Sequence, residues 1–126
     1  MGERLRAQEA LTREEAKFRV FIEKLPAVSY IAEPGEDGRW IFVSRQIETL
    51  LGYSPDEWSG DRKLWYSRLH PDDVGVALGE EQRCIRERDQ FSAEYRLLAR
   101  DGRAVWVRDD AVFLPADDAQ PDRLQG

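Results

Sequence analysis

The chain has 126 residues, a formal net charge of −6 and a single cysteine, Cys84. That length supports one domain with one core, and the acidic balance argues against nucleic acid or an anionic membrane surface as a partner. A lone cysteine excludes an internal disulfide and suits a reducing cytoplasm; no apolar run approaches the roughly 18 residues that span a bilayer, and the first residues lack a signal-peptide core.

Residues 3–25 read as helix. Leu11, Phe18, Ile22 and Leu25, with Phe21 beside them, form one apolar stripe. Thr12-Arg13-Glu14-Glu15 has the form of a capping box, which predicts a helical extension before Thr12 and a separate helix over 13–24. Pro26 ends it. Residues 1–24 are thus expected as a helical cap on a domain of residues 25–126. The stripe is wider than a lone helix hides, so Leu11, Phe18, Phe21 and Ile22 are expected to form a homodimer interface.

Ala27 to Glu33 and Arg39 to Ser44 are rich in β-formers and flank the turn cluster Pro34–Gly38, which predicts a first hairpin. Short helices are expected at about 45–51, 55–59 and 62–68, and a longer one from Pro71 to about Glu87. Two starts are strongly marked. Ser54-Pro55-Asp56-Glu57 combines an N-cap hydroxyl, a proline at N1 and a Glu at N3. His70-Pro71-Asp72-Asp73 places two carboxylates where the helix dipole favours them. A second hairpin turns at Asp101-Gly102, which suits a two-residue type I′ turn. Pairing outward from that turn sets Leu98 opposite Val105 and Leu97 opposite Trp106, so Phe91, Tyr95, Leu97, Trp106 and Val112 share one face. Pro121 to Gly126 reads as the start of one more strand, cut short.

Few residues carry recognisable chemistry. His70, the only histidine, stands before a proline at a helix start, where its ring caps or braces backbone. Cys84 reads as a helix residue packed against the sheet or its rim. One histidine and one cysteine do not build a usual zinc set, so no metal is expected. Asp72-Asp73 and Asp109-Asp110 are adjacent pairs with diverging side chains, explained by the helix dipole and by edge-strand solubility. Glu94-Tyr95-Arg96 with Arg108 suggests charge pairing across the second hairpin. No phosphate loop or nucleophile motif occurs, and independent catalysis has no residues to carry it.

Phe42-Val43-Ser44 leading to Leu50-Leu51-Gly52-Tyr53-Ser54, then Arg68-Leu69-His70-Pro71-Asp72-Asp73, then Phe91 through Arg108, resemble in order and spacing the PAS domain with a PAC-type C-terminal hairpin. The resemblance runs from about Thr12 to Gly126. It implies an α+β fold: an antiparallel five-stranded sheet with short helices on one face, and the N-terminal helix on the other or extending away. It further implies a non-enzymatic sensory input module, of sensor-kinase or cyclic-dinucleotide type, passing a change to a C-terminal output domain. The alternative is a ligand-free dimerisation module. A void above about 100 Å3 with a few polar groups separates the two.

No cofactor is expected. Haem-binding members take a histidine from the long helix, which has none here, and the flavin-adduct cysteine is missing from residues 61–69. An unidentified small molecule would sit between the second hairpin and the helices of residues 45–87, against Ile31, Val43, Leu50, Tyr53, Trp65, Leu69, Leu78, Tyr95 and Trp106, apolar positions whose periodicity points inward. The family's fifth strand lies centrally between the first and fourth. Here it holds about four or five residues, so the chain is expected to be a fragment of a longer protein.

Overall fold

The computed structural model describes residues 2–35, 37–61 and 63–126, with side chains described from Arg13 onward. The order is α1 (Gly2–Lys24), β1 (Tyr30–Ala32), β2 (Trp40–Val43), α2 (Gln46–Leu51), α3 (Pro55–Gly60), α4 (Lys63–Arg68), a 3-10 turn at Pro71–Asp73, α5 (Val74–Glu87), β3 (Phe91–Leu98), β4 (Ala104–Leu114) and β5 (Arg123–Gln125). The five strands form one antiparallel sheet in the order β2-β1-β5-β4-β3, with short helices against its inner face. The α+β expectation holds, and β5 is central as foreseen.

The helix starts follow their local chemistry. Ser54 Oγ accepts the Glu57 amide at 3.1 Å while Glu57 Oε1 accepts the Ser54 amide, also at 3.1 Å. His70 Nδ1 accepts the Asp72 amide at 3.1 Å, so the ring braces the 3-10 turn as its position predicted. Gly52 ends α2 at φ 83°, a left-handed backbone that glycine enters without a Cβ penalty. The capping-box pattern at Thr12 starts nothing: α1 runs unbroken across it. A local cap competes poorly when the residues on both sides favour helix.

The second hairpin departs from its expected register. The Gly102 amide donates to Ala99 O at 2.9 Å and the Ala99 amide to Arg103 O at 2.8 Å, so the loop is Arg100-Asp101-Gly102, with Gly102 at φ 91°. This is a three-residue turn ending in a left-handed glycine. One extra loop residue slips the pairing by one and reverses the faces. Leu97 opposes Val105, and Arg96 opposes Trp106. The shared face carries Phe91, Tyr95 and Leu97 with Val105, Val107 and Ala111, while Trp106 and Val112 lie on the opposite, exposed face. Glu94 does oppose Arg108 in register, but Arg108 Nε pairs with Asp110 at 2.9 Å.

The core gathers Val43, Ile47 and Leu51 from β2 and α2, Trp58 and Trp65 from α3 and α4, and Ala77 and Cys84 from α5. Cys84 is fully buried, and burial pushes its thiol up to about 11, which makes it a packing residue. At the sheet's β3 edge, Asp73 accepts the Arg96 backbone amide at 2.8 Å and its guanidinium at 2.8 and 2.9 Å. The guanidinium bonds hold the Asp73 carboxyl down at about 2. Among the described residues no helix is long and apolar enough to cross a membrane.

Candidate functional site

Between the inner face of the sheet and helices α2 to α4 lies a cavity of about 640 Å3. Tyr30 and Trp40 reach it from β1 and β2, Gln46 and Leu50 from α2, Trp58 and Trp65 from α3 and α4, and Tyr95, Val107 and Asp109 from the hairpin. Aromatic rings make much of the wall. Tyr30 and Trp40 meet edge to face at 5.3 Å, Trp40 and Trp58 at 6.1 Å, and Trp65 and Tyr95 edge to face at 6.0 Å.

One polar relay crosses this wall. Trp65 Nε1 donates to the Tyr95 hydroxyl at 3.1 Å, and that hydroxyl donates to Asp109 Oδ2 at 2.7 Å. The Tyr30 hydroxyl donates to the other carboxylate oxygen, also at 2.7 Å. Burial raises the Asp109 carboxyl above its ordinary value, opposed by the two tyrosine hydrogen bonds. Burial and the neighbouring Asp109 charge likewise push both tyrosine hydroxyls upward, so they act as donors. Among the described residues no group of three or more histidine, cysteine or acidic side chains is placed to hold a metal ion.

The structure sorts the predicted pocket residues. Val43, Leu50, Trp65 and Tyr95 stand on the cavity wall. Leu69 is buried and bridges to Leu97, Leu78 packs against the core from α5, and Ile31 is half-buried in β1, so these three are not on it. Tyr53 packs on Trp58 at 5.8 Å with the Arg100 guanidinium 4.6 Å from its ring. Trp106 borders the cavity, but the register slip turns its ring outward, 65% exposed beneath the Arg96 guanidinium at 4.9 Å.

The residue that sequence reasoning missed is Asp109. It lies on an interior strand and faces inward, so edge-strand solubility does not explain it. Its signal was present: Val105, Val107, Asp109 and Ala111 alternate on one face once the register is right. In α1, Phe18 and Phe21 are 56% and 64% exposed and Ile22 is half-buried; Leu11 falls outside the residues whose side chains are described.

Comparison with known proteins matches this architecture. A family model described as "PAS fold" matches residues 40–126. A methyl sulfide methyltransferase-associated sensor of Methanosarcina acetivorans is 39% identical over 79 residues, 60% of this chain and 7% of that protein. The aryl hydrocarbon receptor nuclear translocator homolog of Drosophila melanogaster is 32% identical over 87 residues, 68% of this chain and 13% of that protein. The chain therefore spans a small part of either relative's length. Among solved structures, the N-terminal domain of a diguanylate cyclase with PAS/PAC sensor from Marinobacter aquaeolei superposes with a TM-score of 0.63 at 26% identity, covering 79% of this chain and 91% of that one. A domain of a sensory box sensor histidine kinase/response regulator from Geobacter sulfurreducens gives 0.66 at 22% identity, covering 91% and 93%. The sheet order, the capped helices and the matched span agree: this chain belongs to the PAS-fold family.

Proposed function

We propose that this domain is the sensory input module of a larger cytoplasmic signal-transduction protein, of sensor-kinase or cyclic-dinucleotide type. In this reading a small molecule occupies the cavity, and the change in the sheet and in α1 passes to an output domain. The observation that carries the reading is the cavity itself. At about 640 Å3 it falls within the range of small-molecule sites, and it is apolar with a few convergent polar groups. A link from the cavity wall to α1 supports the reading. Gln46 on the cavity wall donates its side-chain amide to Ile22 O, Glu23 O and Leu25 O at 2.9, 3.1 and 2.8 Å, tying the end of α1 to α2.

A second reading, a dimerisation module, is favoured by the exposed Phe18 and Phe21 on α1. The two are separated by native mass spectrometry and absorbance of the protein purified from its own host. The sensory reading expects a non-covalently held small molecule without a visible band, lost when Val107→Trp fills the cavity. A dimer that emerges empty, and is unaltered by Val107→Trp, supports the scaffold instead.

A further inference from the structure

Four charged side chains line the cavity among the described residues: Arg103, Arg108, Asp109 and Asp110. Asp109 takes one hydrogen bond on each oxygen, from Tyr30 and Tyr95, whereas a carboxylate has about four acceptor sites. Among the described residues no ion pair reaches it. Arg103 and Arg108 are each paired with another aspartate, Asp101 at 2.8 Å and Asp110 at 2.9 Å.

Three further carboxylates stand near Asp109 among the described residues. Glu81 from α5 and Glu33 after β1 share a small crevice with it, and Asp110 adjoins it on β4. Glu81 accepts the Tyr66 hydroxyl at 2.7 Å, and Glu33 pairs with Arg39 at 3.0 Å. An anionic ligand would meet the Asp109 carboxylate unfavourably. A cation would find a carboxylate and the rings of Tyr30, Trp40, Trp58 and Trp65, whose quadrupoles attract positive charge.

We propose that the cavity binds a protonated organic amine, with the ammonium group on Asp109 and its apolar body among the aromatic rings. The inference rests on the sensory reading and names the ligand class for the same site. The N–H groups of a primary or secondary ammonium would meet the open lone pairs of Asp109. A longer apolar tail uses the space beside Leu50 and Val107.

Calorimetric titration of the intact chain with three probes of matched shape tests this: phenylbutylammonium, neutral phenylbutanol and anionic phenylvalerate. The ammonium should bind at least about tenfold more tightly than either analogue, a difference expected for a desolvated charge contact. Asp109→Asn should abolish that preference while leaving the weaker binding of phenylbutanol unchanged, with circular dichroism confirming the fold. Should Asp109→Asn fail to fold, the wild-type pH profile serves. Affinity for the ammonium should fall on acidification, in a window above the ordinary carboxylate range, while that for phenylbutanol stays flat. Equal or tighter binding of phenylbutanol or phenylvalerate overturns the amine class and leaves sensing intact. No binding by any probe overturns the amine class as well; the sensory reading then fails only if the protein from its own host also proves empty.

Discussion

Leu50 and Leu51 are neighbours on α2, yet the structure gives them opposite surroundings. Leu51 is fully buried in the core, whereas Leu50 is half-buried on the wall of the 640 Å3 cavity. Leu→Ala at either position changes helix propensity by the same small amount, so the difference between the two isolates packing. For Leu51 the lost transfer energy and the new void add together, giving a loss of about 3–5 kcal/mol. For Leu50 the removed methyls already face space. No closed void is created, and only part of the transfer term, about 1 kcal/mol, is forfeited. The difference should therefore be about 2–4 kcal/mol. Urea unfolding followed by tryptophan fluorescence measures both on the same baseline, provided the m-value is unchanged. Equal losses would refute the reasoning, because they would mean that the space beside Leu50 behaves as filled core.

Two further outcomes follow from charge and exposure. The Asp73 carboxyl, held at about 2 by Arg96, contributes stability that is present above the unfolded carboxylate value near 4 and lost as pH falls towards 2; Asp73→Asn should flatten acid unfolding in that window, measured by circular dichroism. Asp109 has the opposite sign: its raised value makes the folded state bind protons more readily, so wild-type stability should fall as pH rises above the unfolded carboxylate value, a slope that Asp109→Asn should remove. If the chain dimerises through α1, replacing Phe18 and Phe21 together by Ser should shift it towards monomer in sedimentation velocity; a dimer left unchanged would remove α1 from the interface.

Much of the fold was legible because it is written locally. The starts at Ser54 and His70 carry their donors and acceptors within three residues, and the structure uses both. The pocket was less legible, because periodicity reports which side chains turn inward and not which of them meet empty space. Leu69 and Leu78 point inward and are simply packed, while Val43, Leu50, Trp65 and Tyr95 border the void. That distinction depends on how far the sheet stands from α2 and α3, a distance set by large rings such as Trp40 and Trp58 meeting at 6.1 Å. Nothing in the spacing of a single strand encodes it.

The misread turn has the widest consequence. Asp101-Gly102 fits a two-residue hairpin loop, but Arg100 joins it, with Gly102 adopting a left-handed backbone at φ 91°. Because strand side chains alternate, that one residue decides the face of every residue in β4. In the two-residue register Trp106 would project into the cavity and Asp109 would lie outside with the other surface charges. In the observed register Trp106 stacks outward under Arg96, and Asp109 meets the Tyr30 and Tyr95 hydroxyls. The exchange removes a bulky ring from the interior and replaces it with valines and one carboxylate. Both the volume of the cavity and the inward placing of Asp109 therefore follow from the loop length of one hairpin. Two chains with this fold and similar composition would differ in what they can bind if their hairpin loops differed by one residue, even with every wall residue of the helices unchanged.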